Sequence, residues 1–154
     1  MRAKSIPSFC IHNGHQIIGF YGRYSFLSNS HPCQVTYEGM KFPNVECAFQ
    51  AAKTTNKKKR VPFQTSTPDE AKTMGAELKL RADWALIEGK VMSSLTLSKY
   101  SENPDLKKKL LATKHSYLEA RAASDDMEWG TNPSGKGNNK SGKIIMAARS
   151  VLAH

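Results

Sequence analysis

The sequence predicts a mainly α-helical single domain with a small β-hairpin or minor sheet toward its N-terminal part. Three observations carry this expectation. Helix-start signals recur at Pro43-Asn44, Thr67-Pro68-Asp69-Glu70 and Asn103-Pro104-Asp105. Apolar residues follow each of them at helical spacing. Strand-like stretches are few and short, the clearest of them early, at Ile17–Tyr21 and Cys33–Phe42. With 154 residues, 39% of them hydrophobic, the chain can bury one core, and no internal repeat or linker divides it. Residues 1–16 lack periodicity and are expected to form an N-terminal extension ahead of a domain over residues 17–154.

Taken in order, Ile17-Ile18-Gly19-Phe20-Tyr21 reads as a strand, and Ser25–Pro32 as a polar, aromatic loop. Val35 and Tyr37 alternate before the turn dipeptide Glu38-Gly39, and Met40 and Phe42 follow it, which makes a hairpin feeding the next helix. In that helix Asn44 is the expected N-cap, and Val45, Ala48, Phe49 and Ala52 form the buried face. Lys57-Lys58-Lys59-Arg60 reads as an exposed turn, because four consecutive cations repel one another. Thr67 and Glu70 complete a capping box, with Ala71, Met74 and Leu78 as the stripe behind it. A helix over about Asp83 to Tyr100 carries Trp84, Ile87, Val91 and Leu95, and one from Pro104 carries Leu106, Leu110 and Leu111. Tyr117–Ala122 is a candidate strand, Thr131–Gly142 a long polar loop, and Ser141 the expected cap of a last helix with Ile145, Ala148, Arg149 and Leu152 on its stripe. An Arg inside that stripe requires a partner or a bound anion.

Lys plus Arg at 23 against Asp plus Glu at 13 gives a net charge of +10, which favours polyanionic partners: nucleotides, nucleic acid or phosphorylated metabolites. No run reaches the length of a membrane span, the first residues lack the apolar core of a signal peptide, and three cysteines leave one unpaired. A cytoplasmic protein is the expectation. Cys10-x-His12-x-x-His15 with His31-x-Cys33 invites a metal reading, but the spacing matches no common zinc pattern, so no metal is expected.

The stretch with most chemistry is Phe42–Lys53. Glu46, Gln50 and Lys53 fall on one line of the helix, an acid, an amide and an ammonium beside the buried face. Taken alone, this line is most simply a solvated face with favourable charge spacing.

The ordered series of motifs resembles the YbiA-like family, also called NADAR proteins, over about Phe20 to Arg149. Leu27-Ser28-Asn29 is similar to the family's Leu-Ser-Asn segment, and Glu46-x-x-x-Gln50-x-x-Lys53 to its Glu-His-x-x-Gln-x-x-Lys helix. Thr67-Pro68-x-Glu70-Ala71-Lys72, Arg81-x-Asp83-Trp84, and Lys99-Tyr100 with Asn103-Pro104 follow in the family's order. Asp126-x-x-Trp129-Gly130, Asn139-x-x-Gly142 and Arg149 close it. Cys47 replaces the usual His, and Lys140-Ser141 an apolar pair. The resemblance implies a mostly helical fold, no cofactor, and an N-glycosidase cleaving ribose from a base. Its expected substrates are phosphorylated riboflavin-pathway intermediates or ADP-ribosylated guanine, with nucleic acid carrying the modified base as a partner. A non-catalytic ADP-ribose-binding module and a basic nucleic-acid-binding protein are the competing readings.

Such a reaction passes through a cation-like sugar, which calls for carboxylates. Glu46 and Asp126 are the candidate acids, and Lys53 is a candidate amine nucleophile forming a Schiff base with the opened ribose. Trp84 and Trp129 offer aromatic faces, while Asn29, Gln50 and Asn139 offer directional hydrogen bonds. Arg81 and Arg149 can hold phosphates. Ser28 and Gly130 join the binding set through the motifs that contain them. Each also has a structural reading: Asn29 and Asn139 as turn or cap residues, Trp84 as core, Arg149 as an internal pair.

Overall fold

The computed structural model describes residues 5–154, so the first four residues of the expected N-terminal extension lie outside the described part. In chain order the elements begin with β1 (Ile11–His12), β2 (Gln16–Ile18), β3 (Val35–Tyr37) and β4 (Met40–Phe42). Then come α1 (Val45–Ala51), α2 (Lys57–Arg60), α3 (Pro68–Glu77), α4 (Trp84–Glu102) and α5 (Pro104–Ala112). β5 (Tyr117–Glu119) and α6 (Lys140–Leu152) complete the chain. The mainly helical class with minor sheets is as the sequence predicts. No helix among the described residues is long and apolar enough to cross a membrane. The elements fall into two compact units, residues 29–107 and the remainder, with the boundary inside α5.

In the unit of residues 29–107, β3 and β4 pair antiparallel, with Val35 opposite Phe42 and Tyr37 opposite Met40. Glu38 (φ 46°) and Gly39 (φ 81°) form the two-residue turn, and both need the left-handed conformation that such a tight hairpin demands. The chain leaves β4 directly into α1, whose Asn44 side chain accepts from the Cys47 amide at 2.8 Å. Val45, Ala48, Phe49 and Ala52 are buried as their spacing predicts, and so are Cys47, Gln50 and Ala51. A seven-residue helix buried on nearly every side has α3 and α4 packed against it. The α3 capping box is present: Thr67 Oγ1 accepts from the Glu70 amide, and Glu70 Oε1 accepts from the Thr67 amide.

The four-cation run departs from expectation. It is a helical turn capped by Asn56, and Arg60 is 2% exposed. Arg60 Nε donates to the Thr54 carbonyl at 2.8 Å, Nη1 meets Glu38 Oε1 at 2.9 Å, and the guanidinium lies 5.0 Å from the centre of the Tyr37 ring. Burial works to push the Glu38 carboxyl up, but the Arg60 guanidinium, with the Tyr37 hydroxyl and Arg81 adding to it, holds that carboxyl below its ordinary value. Lys57, Lys58 and Lys59 are exposed, as their mutual repulsion requires.

The other unit carries a three-stranded sheet in the order β1-β2-β5, with β1 antiparallel and β5 parallel to β2. The strand expected over Ile17–Tyr21 ends at Ile18, because Gly19 turns away at φ 87°. A 3-10 helix then occupies Gly22–Leu27, taking up the start of the expected loop. β5 covers Tyr117–Glu119, the first half of the candidate strand, and Leu118 is fully buried. Ser141 does not cap α6. The cap position is Asn139, held at φ 51°, and Ser141 is already in the first helical turn.

Candidate active site

Glu46 stands in the first turn of α1, where a carboxylate is favoured by the helix dipole. Its amide donates to the Asn29 carbonyl at 3.0 Å, so the Leu-Ser-Asn segment ties down the start of the helix through its backbone. The Asn29 side chain points its amide at Met92 Sδ, 3.8 Å away. One turn on, Gln50 Nε2 donates to Glu46 Oε1 at 2.9 Å. The simple solvated-face reading fails here, because Gln50 is only 7% exposed. Its Oε1 is buried without a hydrogen-bond partner among the described residues. That oxygen lies against Gly75 of α3, where a Cβ would overlap it. Glycine at 75 is therefore a packing requirement of the Gln50 rotamer.

Lys53 follows the end of α1 and is half-buried. Burial pushes its ammonium below the usual lysine range, with the Glu46 and Glu88 carboxylates partly holding it up. Its carbonyl accepts from the Arg81 amide at 2.9 Å. The Arg81 side chain chelates Asp83, with Nε to Oδ1 at 2.7 Å and Nη2 to Oδ2 at 3.3 Å. Its Nη1 also reaches the Ala52 carbonyl and the Tyr37 hydroxyl. Asp83 is thus engaged with Arg81 rather than capping α4 with its side chain. Trp84 is buried, with its ring centre 5.1 Å from that of Phe49. Glu46 and Gln50 consequently share one edge of α1. Lys53 stands just past its end with its amide donating to the Gln50 carbonyl, and Arg81 is joined to it through the Lys53 carbonyl.

The remaining candidates belong to the other unit. Ser28 closes the 3-10 helix by donating its amide to the Ser25 carbonyl. Asp126 is exposed, and its Oδ1 accepts from the Glu128 and Trp129 amides at 3.1 and 3.0 Å, an Asx-type turn. The Trp129 ring lies 5.6 Å from Lys140 Nζ. Gly130 approaches the Ala120 carbonyl so closely that a Cβ would overlap it. Asn139 is a clamp: Oδ1 accepts from the Ala120 amide at 2.9 Å, and Nδ2 donates to the Leu118 carbonyl at 3.0 Å. Arg149 Nη1 donates to Thr113 Oγ1 and to the Ser116 carbonyl, both at 2.9 Å. Among the described residues no three His, Cys, Asp or Glu side chains cluster in a way that could hold a metal ion. His12 Nε2 instead bonds the Gly19 carbonyl at 2.8 Å.

Two residues that shape the α1 edge, Gly75 and Glu88, were not singled out from the sequence, and a third in its unit, Lys99, entered only through the Lys99-Tyr100 motif. Gly75 had a signal, a glycine inside a helical pattern, which costs stability unless packing needs it. Glu88 had none, since its effect on Lys53 arises only through the fold. Lys99 is 2% exposed, and burial pushes its ammonium down to about 8.

Gly75→Ala tests the packing of this edge. Helix propensity favours alanine by about 1 kcal/mol, which offsets much of the cost of overpacking. The expected result is therefore a Tm near wild type with activity lowered roughly tenfold to a hundredfold, because Gln50 must turn away from Glu46. Unchanged activity in a well-folded Gly75→Ala protein would remove Gln50 from the account.

Comparison with known proteins adds the following. The family model described as the NADAR domain matches residues 15–153. The N-glycosidase YbiA of Escherichia coli (strain K12) is 32% identical over 143 residues, covering 89% of each chain. A riboflavin biosynthesis protein of Vibrio vulnificus is 30% identical over 132 residues, which are 84% of this chain and 36% of that protein. The NMR structure of E. coli YbiA superposes with a TM-score of 0.80 at 28% identity, over 95% of this chain and 89% of that one.

Proposed function

The chain belongs to the NADAR domain family, and from that premise we propose that this N-glycosidase hydrolyses the ribose–base C–N bond of a phosphorylated or ADP-ribosylated substrate at the Glu46–Gln50–Lys53 edge. The observation that carries the assignment is the Gln50 amide holding Glu46 Oε1 at 2.9 Å from a buried position. A carboxylate fixed in this way keeps its second oxygen for water or for the sugar. Leaving of the base builds positive charge on ribose C1, and a preorganised anion stabilises that charge more than it stabilises the substrate.

Two courses fit these side chains. In the first, Glu46 orients and deprotonates a water that attacks C1. The base departs with a proton, and C1 gains a hydroxyl. In the second, the neutral Lys53 amine attacks C1, the base leaves, and the opened ribose forms an imine that water hydrolyses back to the free amine and sugar. The depressed Lys53 titration supports the second course, since a lysine in its ordinary range is almost wholly protonated at neutral pH.

This course has a pH signature. Activity rises with pH through the titration of Lys53, because only the deprotonated amine attacks. Glu88 is an acid that stabilises the ammonium. Glu88→Gln is expected to lower the Lys53 pKa further and move the rising limb of kcat to lower pH. A limb that stays in place or moves upward in Glu88→Gln would rule out Lys53 as the titrating nucleophile.

The substrate class is tested by incubating the protein with ribosylaminopyrimidine phosphates and with an oligonucleotide carrying ADP-ribosylated guanine. Release of free base from either assigns the class. Intact C–N bonds in both, at enzyme concentrations near those of the substrate, contradict the proposal.

A further inference from the structure

The unit of residues 5–28 and 108–154 contains a groove of about 920 Å³, made of residues that the α1 edge does not use. One wall is the 3-10 helix with Arg23 and Tyr24, another the β1–β2 turn with His15, and the third the end of α5 and the following turn with Lys109, Lys114 and His115. No Asp or Glu lines it. The ion pairs of the described residues are Arg60–Glu38, Arg81–Asp83, Arg121–Glu119 and Lys140–Glu128, so none of the three groove cations has an ion pair among the described residues.

A fourth cation stands behind the wall. Arg149 donates to Thr113 Oγ1 and to the Ser116 carbonyl, and both residues line the groove. These partners are neutral, so they satisfy its hydrogens without cancelling its charge. Aromatic rings interleave with the cations: Arg23 lies 4.9 Å from the centre of the Tyr24 ring, and Lys109 lies 5.8 Å from that of Phe26. Charges gathered this way repel one another unless an anion joins them.

We propose that this groove binds the sugar–phosphate backbone of single-stranded nucleic acid. The cations stand on two walls, Arg23 on the 3-10 helix and Lys109 and Lys114 at the end of α5 and the turn after it. A groove of about 920 Å³ has room for more than one phosphate, which suits a backbone better than a single anion. Tyr24, partly exposed beside Arg23, supplies a ring of the kind used by grooves that track a strand without reading its sequence, while the Phe26 ring is buried beneath Lys109. The binding holds whether the base that the enzyme cleaves sits in nucleic acid or in a free metabolite.

The experiment measures fluorescence anisotropy of an unmodified, labelled single strand of about 12 nucleotides, as DNA and as RNA, against the full chain. Arg23→Ala/Lys109→Ala/Lys114→Ala is compared with Lys57→Ala/Lys58→Ala/Lys59→Ala, which removes the same charge from exposed α2. The groove variant is expected to lose on the order of tenfold or more in affinity at about 0.15 M salt, with its salt slope reduced by roughly 2. The α2 variant is expected to keep both. Lys109→Glu alone, checked by thermal melting, gives the same reading if the triple variant folds poorly. Three outcomes overturn the proposal: no binding by wild type, equal losses in the two triple variants, or competition by millimolar inorganic phosphate as effective as that by unlabelled strand. The last result would make the groove a small-anion site.

Discussion

Glu46→Gln is expected to lower kcat by roughly 10²–10⁴-fold, the range for losing a positioned acid–base group, with Tm close to wild type. The substitution keeps the size and one carbonyl oxygen, so Gln50 Nε2 retains an acceptor. What disappears is the negative charge, and with it both the stabilisation of a cation-like ribose and the capacity to take a proton from water. The stability cost is small. Glu46 gains only the modest first-turn dipole term, worth about 0.3–1 kcal/mol at a partly exposed position. A Glu46→Gln protein with wild-type kcat would move the reaction elsewhere in the molecule. Intact fold with lost turnover separates a chemical role from a structural one.

Arg60→Ala is expected to destabilise the protein by about 3 kcal/mol, mainly the cost of the cavity and of a buried carbonyl left without its donor. The loss has several parts. The Thr54 carbonyl gives up its 2.8 Å donor, and a residue with 2% exposure leaves a hole behind the Tyr37 ring. Glu38 softens the effect, since its side chain is about half exposed and rehydrates once the guanidinium is gone. The Glu38 contribution also has a pH window. Its folded-state pKa lies below the ordinary value, so this contribution is present above the ordinary carboxylate range and fades as pH falls through the depressed pKa. Urea denaturation at neutral pH measures the difference. Lys58→Ala, exposed on the same helix, should stay within about 0.5 kcal/mol of wild type, as surface substitutions usually do. An Arg60→Ala protein as stable as Lys58→Ala would contradict the buried arrangement.

These two positions mark what was legible in the sequence. The hairpin, the Asn44 cap, the α3 capping box and the α5 start all rest on neighbours within seven residues, and such local chemistry survives folding intact. Arg60 was unreadable because its partners, Glu38 and Thr54, come from a hairpin turn and a loop that only the fold brings near it. Charge repulsion correctly exposed the three lysines beside it and wrongly exposed the arginine. Gln50 failed for a different reason. Helical periodicity assigns one buried face, whereas α1 is covered on nearly all sides, so the amide that fixes Glu46 looked like surface. Ser141 read as a cap by residue type. The cap position fell to Asn139, whose side chain is committed to the Leu118 and Ala120 backbone and sets where α6 begins.

The candidate site was legible mainly through order along the chain. Glu46 and Gln50 meet because one turn of helix separates them, as their spacing suggests. Lys53 lies past Ala51, the last residue of α1, so the helical line drawn from the sequence stops short of it. The chemistry proposed for the α1 edge rests on the motif series, and Gly75 and Glu88 entered only with the packed structure.

The central claim is that the bond broken is the one between ribose C1 and the base nitrogen. Mass analysis of products formed in ¹⁸O-water tests it directly. The account predicts free base without label and one ¹⁸O on the sugar at C1, in wild type and at a strongly reduced rate in Glu46→Gln. Label appearing in a phosphate, with the ribosyl–base bond intact, would contradict it.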